Sequence, residues 1–247
     1  MRALILAITA ALLYPAASLA DTSVKTVVLV HGAFADGSGW KPVADILEHD
    51  GFTVEVVQEP ETTFEDDVKA TKLVLDNAGP CVLVGHSYGG MIITQAGDHP
   101  NVRSLVYVAA LQPDVGESAG ALTAKMPAAA KSIVPIGGGY LAVDQQAFPQ
   151  DFAADLPKAV AHFMAISQVP ISGEAFSANA TVAAWKDKPA YAVVAMQDRM
   201  INPDLERFMY NRAHSYVIEL PGSHAVYLSH PKEVAAFIER AASGVDK

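Results

Sequence analysis

Short apolar runs rich in Val, Ile and Leu alternate along the chain with stretches in which apolar residues return every three or four positions. Residues 24–30 (Val-Lys-Thr-Val-Val-Leu-Val) are the first such run and predict a strand. Trp40, Val43, Ala44 and Leu47 then share one helical face over 40–49, with Gly51 as a stop. A short strand is predicted at 53–57. Phe64, Val68, Thr71 and Leu75 line one face of a helix over 64–77, closed by Gly79-Pro80. A strand at 81–85, a helix at 88–97 and a strand at 104–109 come next. The alternation then stops. Residues 112–188 are rich in Ala, Gly, Ser and Pro, with short helical pieces predicted at 121–131, 144–154 and 156–168. Within them Gly137-Gly138-Gly139 reads as a flexible joint. The pattern resumes with a strand at 190–195, a helix at 203–213, a strand at 216–220 and a helix at 231–242.

Strands that are apolar throughout, separated by helices, predict a parallel sheet covered on both faces. Six strands are expected, centred near residues 26, 55, 83, 106, 193 and 218. The fold class is therefore α/β. Residues 112–188 are too long for an ordinary loop. Leu156, Val160, Phe163, Met164 and Trp185 give them apolar surface to pack, so a lid inserted after the fourth strand is expected. No internal repeat or inter-domain linker interrupts the rest.

The amino terminus reads differently. Met1-Arg2 is basic, residues 3–13 are apolar, and Ser18-Leu19-Ala20 places small residues before Asp21. That is the layout of a signal peptide over 1–20, with an exported domain at 21–247 in the periplasm or outside the cell. The apolar run falls short of the ~20 residues a membrane span needs, and Pro15 would break a helix extended beyond it. No later stretch is long and apolar enough to span, so no membrane span is expected in the mature chain.

The net charge of −10, or −11 without Arg2, argues against nucleic acid and anionic membranes as partners. Cys81 is the only cysteine, so an exported chain has no internal disulfide; at the head of a strand it reads as a small buried hydrophobe. No Cys/His cluster has zinc spacing, and no G-x-G-x-x-G or Walker-type loop follows a strand. Neither metal nor cofactor is expected.

The chemistry concentrates at Gly85-His86-Ser87-Tyr88-Gly89. An apolar strand runs into G-x-S-x-G and a helix leaves it, the context that separates a nucleophile elbow from a chance match. Such a turn lifts the Ser87 hydroxyl clear of the sheet and aims a helix N-terminus at the place where an oxyanion forms. A serine needs a base to take its proton, and a histidine base needs a carboxylate to orient it. His224 is the candidate base, because it alone of the eight histidines occupies a loop past the last strand. Asp198, at the end of the strand over 190–195, is the candidate acid. Asp114, after the fourth strand, is its rival. Oxyanion donors are expected from the backbone of Tyr88 and of Ala33 in His31-Gly32-Ala33-Phe34, with Phe34 second. Phe34, Trp40, His162 and Phe163 are candidate pocket residues, Trp40 having core packing as its alternative.

Taken together, His31-Gly32-Ala33, Gly85 through Gly90, Asp198 and Gly222-Ser223-His224 resemble the α/β-hydrolase superfamily over nearly all of the mature chain. The compact core and the His-Gly-Ala turn resemble the branch of plant methyl-ester esterases, hydroxynitrile lyases and bacterial carboxylesterases. The resemblance implies a lid, a Ser-His-Asp triad and no cofactor. The lyases carry lysine after the histidine and threonine after the first histidine of the turn; this chain has Ala225 and Gly32, which argues against lyase chemistry. Ser87 argues against the branches that use an aspartate nucleophile or dispense with serine.

The expectation is a serine hydrolase of the carboxylesterase type, cleaving small to medium hydrophobic esters through an acyl-enzyme. The preference for esters over amides comes from the resemblance alone. Two alternatives stand beside it: a hydrolase-fold binding or receptor-like protein with little turnover, and a cofactor-free perhydrolase. The expected partner is a small-molecule ester; the natural substrate and oligomeric state stay open.

Overall fold

The computed structural model describes residues 24–244, so the expected leader at 1–20 lies outside the described residues. β1 (Thr26–Val30) leads through a 3-10 turn into α1 (Lys41–His49). β2 (Thr53–Val57), α2 (Phe64–Ala78), β3 (Cys81–His86), α3 (Gly89–Ala96) and β4 (Val102–Val108) succeed it. Then come α4 (Ala119–Lys125), β5 (Ile133–Gly137), β6 (Tyr140–Val143), α5 (Phe148–Asp151), α6 (Lys158–Ser167), β7 (Ile171–Ser172) and α7 (Gly173–Ser177). β8 (Ala190–Ala195), α8 (Pro203–Arg212), β9 (Tyr216–Leu220), α9 (Val226–Ser229) and α10 (Pro231–Ser243) close the domain.

Local chemistry starts the helices where they begin. The Thr63 hydroxyl accepts the Asp66 N–H at 3.1 Å, and Glu65, Asp66 and Asp67 fill the first turn of α2, where the helix dipole favours negative charge. Asn202 caps α8 and Pro203 opens it with a φ already suited to a helix.

Six strands form one parallel sheet in the order β2-β1-β3-β4-β8-β9. Because successive side chains point to opposite faces, the central strands feed two cores. Val27, Leu29, Val82 and Val84 pack on one side with α1 and α10. Val28, Val30 and Leu83 pack on the other with α3 and α8. The chain runs from β1 outward to β2, then returns to lay β3 on the other side of β1. That reversal leaves a crevice at the carboxyl ends of β1 and β3, where ligands bind in open α/β sheets. No helix among the described residues is long and apolar enough to cross a membrane.

The segment between β4 and β8 departs from expectation in detail. Gly138 and Gly139 are not a flexible joint: they form the two-residue turn of the β5–β6 hairpin, whose last pair is Gly137 with Tyr140. Both have positive φ, 61° and 82°, which only glycine adopts without cost. β7 joins this hairpin to make a three-stranded antiparallel sheet. The helix expected at 121–131 runs only over Ala119–Lys125, and that at 144–154 shrinks to Phe148–Asp151. Pro127 follows the first, and Pro149 sits where only a first helical turn tolerates it.

Candidate active site

Ser87 sits between β3 and α3 with φ of 53°, a left-handed conformation that a serine holds only under constraint from its surroundings. The flanking glycines supply the room. A Cβ on Gly85 would lie 2.6 Å from the carbonyl oxygen of Gly89, and one on Gly89 would collide with the carbonyl of His31. The Ser87 carbonyl in turn accepts the Gly90 and Leu111 N–H groups at 3.0 and 3.1 Å.

The loop after β9 brings His224 to this serine. Its Nε2 lies 2.8 Å from Ser87 Oγ and its Nδ1 lies 2.6 Å from Asp198 Oδ2. A carboxylate only accepts, so Nδ1 carries the proton and Nε2 presents a lone pair to the Ser87 hydroxyl. Asp198 Oδ1 accepts the N–H groups of Met200 and Ile201 at 2.7 and 2.9 Å. Ser87, His224 and Asp198 are thus one hydrogen-bonded line, and all three are buried. Asp114 is elsewhere: its carboxylate is engaged by Lys186 and does not meet His224.

Three residues hold the histidine loop. His86 Nε2 donates to the His224 carbonyl at 2.9 Å, so this ring supports the His224 loop from behind although its side chain points away from Ser87. Burial pushes the His86 imidazole well below its ordinary value, so it is neutral. The Phe152 ring stands edge-on to His224 at 4.7 Å, and its carbonyl accepts the Ala225 N–H at 3.0 Å. Asp155 accepts the Ser223 N–H at 2.9 Å. Phe152 and Asp155 belong to the inserted segment, and nothing in the sequence pattern ties them to His224.

Ala33 and Tyr88 both line the cavity that opens at Ser87. Tyr88 is anchored by its hydroxyl, which donates to Asp67 Oδ2 at 3.0 Å. Behind it lies a cluster of buried acids: Glu59, Glu61 and Asp67. Burial, reinforced by the neighbouring Asp67, pushes Glu61 up to about 9; burial alone leads the rise of Asp67 to about 6. Asp67 was legible as an acid on the apolar face of α2, one turn from Thr71. Among the described residues, His31, Glu59 and Glu61 bring donor atoms within 4.8 Å of one another. However, His31 Nε2 accepts the Glu59 N–H at 3.0 Å, so its proton sits on Nδ1 against the Gly32 carbonyl. The imidazole therefore has no lone pair to give a cation, and protons on the carboxyls are the simpler neutralisation.

The cavity at Ser87 measures about 400 Å³, within the range of small-molecule sites. The inserted segment supplies much of its wall through Thr123, Ala124, Pro127, Ala128, Ile133 and Phe176. Phe34 lines it too. Trp40 does not: it is fully buried against Tyr227, ring centroids 4.7 Å apart, in the core beneath α1 and α10. His162 is exposed on α6, and Phe163, 64% exposed, borders a separate cleft of about 160 Å³. A larger cleft of about 870 Å³ lies near Lys25, Arg103 and Gly244, among the amino ends of the strands and away from Ser87.

A parallel sheet with a strand–turn–helix serine at its switch point defines the α/β-hydrolase architecture. The chain belongs to the alpha/beta hydrolase family, whose model matches residues 27–237. It is similar to the probable hydrolase R7 of Phoma sp., with 27% identity over 236 residues, 86% of this chain and 96% of the relative. It is also similar to a carbendazim hydrolyzing esterase of Nocardioides sp., with 36% identity over 130 residues, 47% of this chain and 54% of the relative. The crystal structure of a pyrethroid hydrolase shares the fold with a TM-score of 0.77 at 23% identity, covering 91% of this chain and all of that one.

Proposed function

We propose that this chain is a serine hydrolase that cleaves carboxylic esters through an acyl-enzyme. The observation that carries the reading is the hydrogen-bonded line Ser87–His224–Asp198 at the wall of a largely apolar cavity. Ser87 Oγ attacks the ester carbonyl as His224 Nε2 takes its proton. The carbonyl oxygen gains the charge, and the Ala33 and Tyr88 N–H groups, with the N-terminus of α3, receive it. Asp198 keeps the imidazole in the required tautomer and balances its charge. His224 then gives the proton to the departing alkoxide, and the alcohol leaves. In the second half His224 takes a proton from water, whose oxygen attacks the acyl carbon; the C–Oγ bond breaks and the proton returns to Ser87.

Small and medium hydrophobic acyl or alcohol groups suit the cavity, because its walls are mostly Ala, Pro, Ile, Phe and Met side chains with few fixed polar groups. Hydrolase and esterase relatives support the reaction class. The test is steady-state hydrolysis of p-nitrophenyl butyrate by the wild type beside Ser87→Ala. Many turnovers by the wild type and a loss of about 10⁴-fold or more in the variant are expected. A folded wild type that releases no p-nitrophenol would overturn the reading and leave a ligand-holding protein in its place.

A further inference from the structure

Asp198 has a carboxyl neighbour. Glu206, in the first turns of α8, is fully buried, and one of its oxygens, Oε2, accepts the Ala195 N–H at 3.1 Å. Its other oxygen, Oε1, is buried and meets no N–H or hydroxyl donor. The Asp198 carboxyl is within side-chain hydrogen-bonding reach of the Glu206 carboxyl. Two carboxylates in contact, without a buried cation between them, cannot both stay ionised. The proton has to sit on one of them, and the donors decide which. Asp198 already receives three N–H bonds, from His224, Met200 and Ile201, all of which favour its charged form. Glu206 receives one.

The remaining neighbours leave this assignment intact. The Tyr210 hydroxyl is taken up by Ala110, donating to its carbonyl at 2.8 Å and accepting its N–H at 2.9 Å. Tyr107, next along, exchanges its hydroxyl with Thr94 at 2.9 Å. Arg207, the nearest cation on α8, reaches outward to Glu219 and Asp204. On the far side of His224 stand Ser87, the neutral His86 ring and Asp155, which is spent on Ser223.

We propose that Glu206 is a positioning residue for Asp198: a neutral carboxylic acid whose Oε1–H donates to the Asp198 carboxylate and holds it in line with His224. Burial and the adjacent Asp198 charge both push Glu206 well above the ordinary carboxylate range, in keeping with that proton. The inference rests on the reading of Asp198 and His224 given above and extends it by one residue. Glu206 touches neither substrate nor Ser87 and acts only through Asp198. As a fourth donor it spreads the Asp198 charge, so the aspartate attracts the imidazolium less strongly than it otherwise would.

The protonated form makes Glu206→Gln the informative substitution. A glutamine amide N–H donates where the carboxylic O–H donated, and its oxygen still accepts from Ala195. Glu206→Leu removes both bonds. The readout is the downfield proton NMR signal of His224 Nδ1–H, assigned by its loss in His224→Ala and tracked against pH, which needs no turnover. Glu206→Gln is expected to keep the wild-type titration midpoint, whereas Glu206→Leu moves it up by about one pH unit. The acid limb of kcat/KM for p-nitrophenyl butyrate moves with it, kcat falling about tenfold in the leucine variant at unchanged KM. A midpoint that drops in Glu206→Gln would mean that a negative charge had been removed, and the inference would fail. It fails too if the leucine variant titrates like the wild type. Should the leucine variant not fold, the glutamine result decides alone. An NMR shift without any ester turnover in the wild type would sink the esterase reading and leave this pairing standing.

Discussion

Asp155 accepts the backbone N–H of Ser223 at 2.9 Å and also its hydroxyl, one residue before His224. A residue of the inserted segment therefore sets the position of the histidine loop that β9 delivers. Burial alone raises an acid, but here the two bonds from Ser223 win and hold Asp155 below its ordinary value. The insertion both walls the cavity and steadies the His224 loop.

Removing that carboxylate is expected to cost activity more than stability, since Asp155 itself is open to solvent. In Asp155→Ala, kcat for p-nitrophenyl butyrate falls about tenfold, because a displaced imidazole leaves Ser87 without a well-aimed acceptor. The tie needs the charged acid, so it is complete above the ordinary value of 3.8 and is lost as pH falls through the lower folded value. A variant with wild-type kcat would show that Phe152 and His86 suffice to hold the loop.

The two aspartates that compete for the acid role separate cleanly. Asp198→Asn presents an amide to His224 Nδ1 and favours the wrong tautomer, so kcat is expected to fall about 10⁴-fold. Asp114→Asn loses one solvent-exposed ion pair with Lys186 and changes kcat by less than about twofold. Parallel kinetics on the two variants check this, and a large loss in Asp114→Asn would reverse the assignment.

Much of the framework was readable from the residues, for identifiable reasons. A parallel strand buried on both faces is apolar throughout, so β3 and β8 announce themselves, and the glycines around Ser87 mark the turn. The inserted segment resists such reading. Ile133 to Val143 is a hairpin whose strands are short and interrupted by Pro135, and its Gly138-Gly139 turn looks like a linker unless the flanking β-branched residues are weighed. Phe163 and His162 lie on the outer side of α6, whose inner face Ala161 and Ala165 take, and no residue of α6 lines the cavity at Ser87. Small inward residues on a helix reflect the elements packed against it, which the local pattern does not contain. Glu206 is an acid one turn before Tyr210, and only the return of the chain past Asp198 gives it a partner.

Cavity length is the next measurable property. Ala128 lines the inserted wall beside Pro127 and Ile133, and a phenylalanine there would fill part of the cavity. Ala128→Phe is expected to raise KM for p-nitrophenyl decanoate at least about tenfold while changing the acetate less than about threefold. In the wild type, rates should increase as the acyl chain shortens toward acetate. Equal effects of the substitution on both esters would place the acyl group elsewhere.

The buried acids behind Tyr88 predict how stability depends on pH. In the unfolded chain Glu61 loses its proton near 4.5; folded, it keeps the proton up to about 9, chiefly because burial penalises its charge. Across that window the folded state binds the extra proton, so raising the pH removes stability. The contribution is complete below 4.5 and gone above about 9. Asp67 adds to the same slope, its proton leaving near 6. Glu61→Gln removes the titration while keeping the shape of the side chain. The variant is expected to unfold at higher denaturant than the wild type at pH 8.5, by at least about 1 kcal/mol, and to approach it at pH 5. Urea melts at the two pH values measure this. If the wild type is favoured more at pH 8.5 than at pH 5, Glu61 is ionised in the folded protein and has a cationic partner that neutralises it.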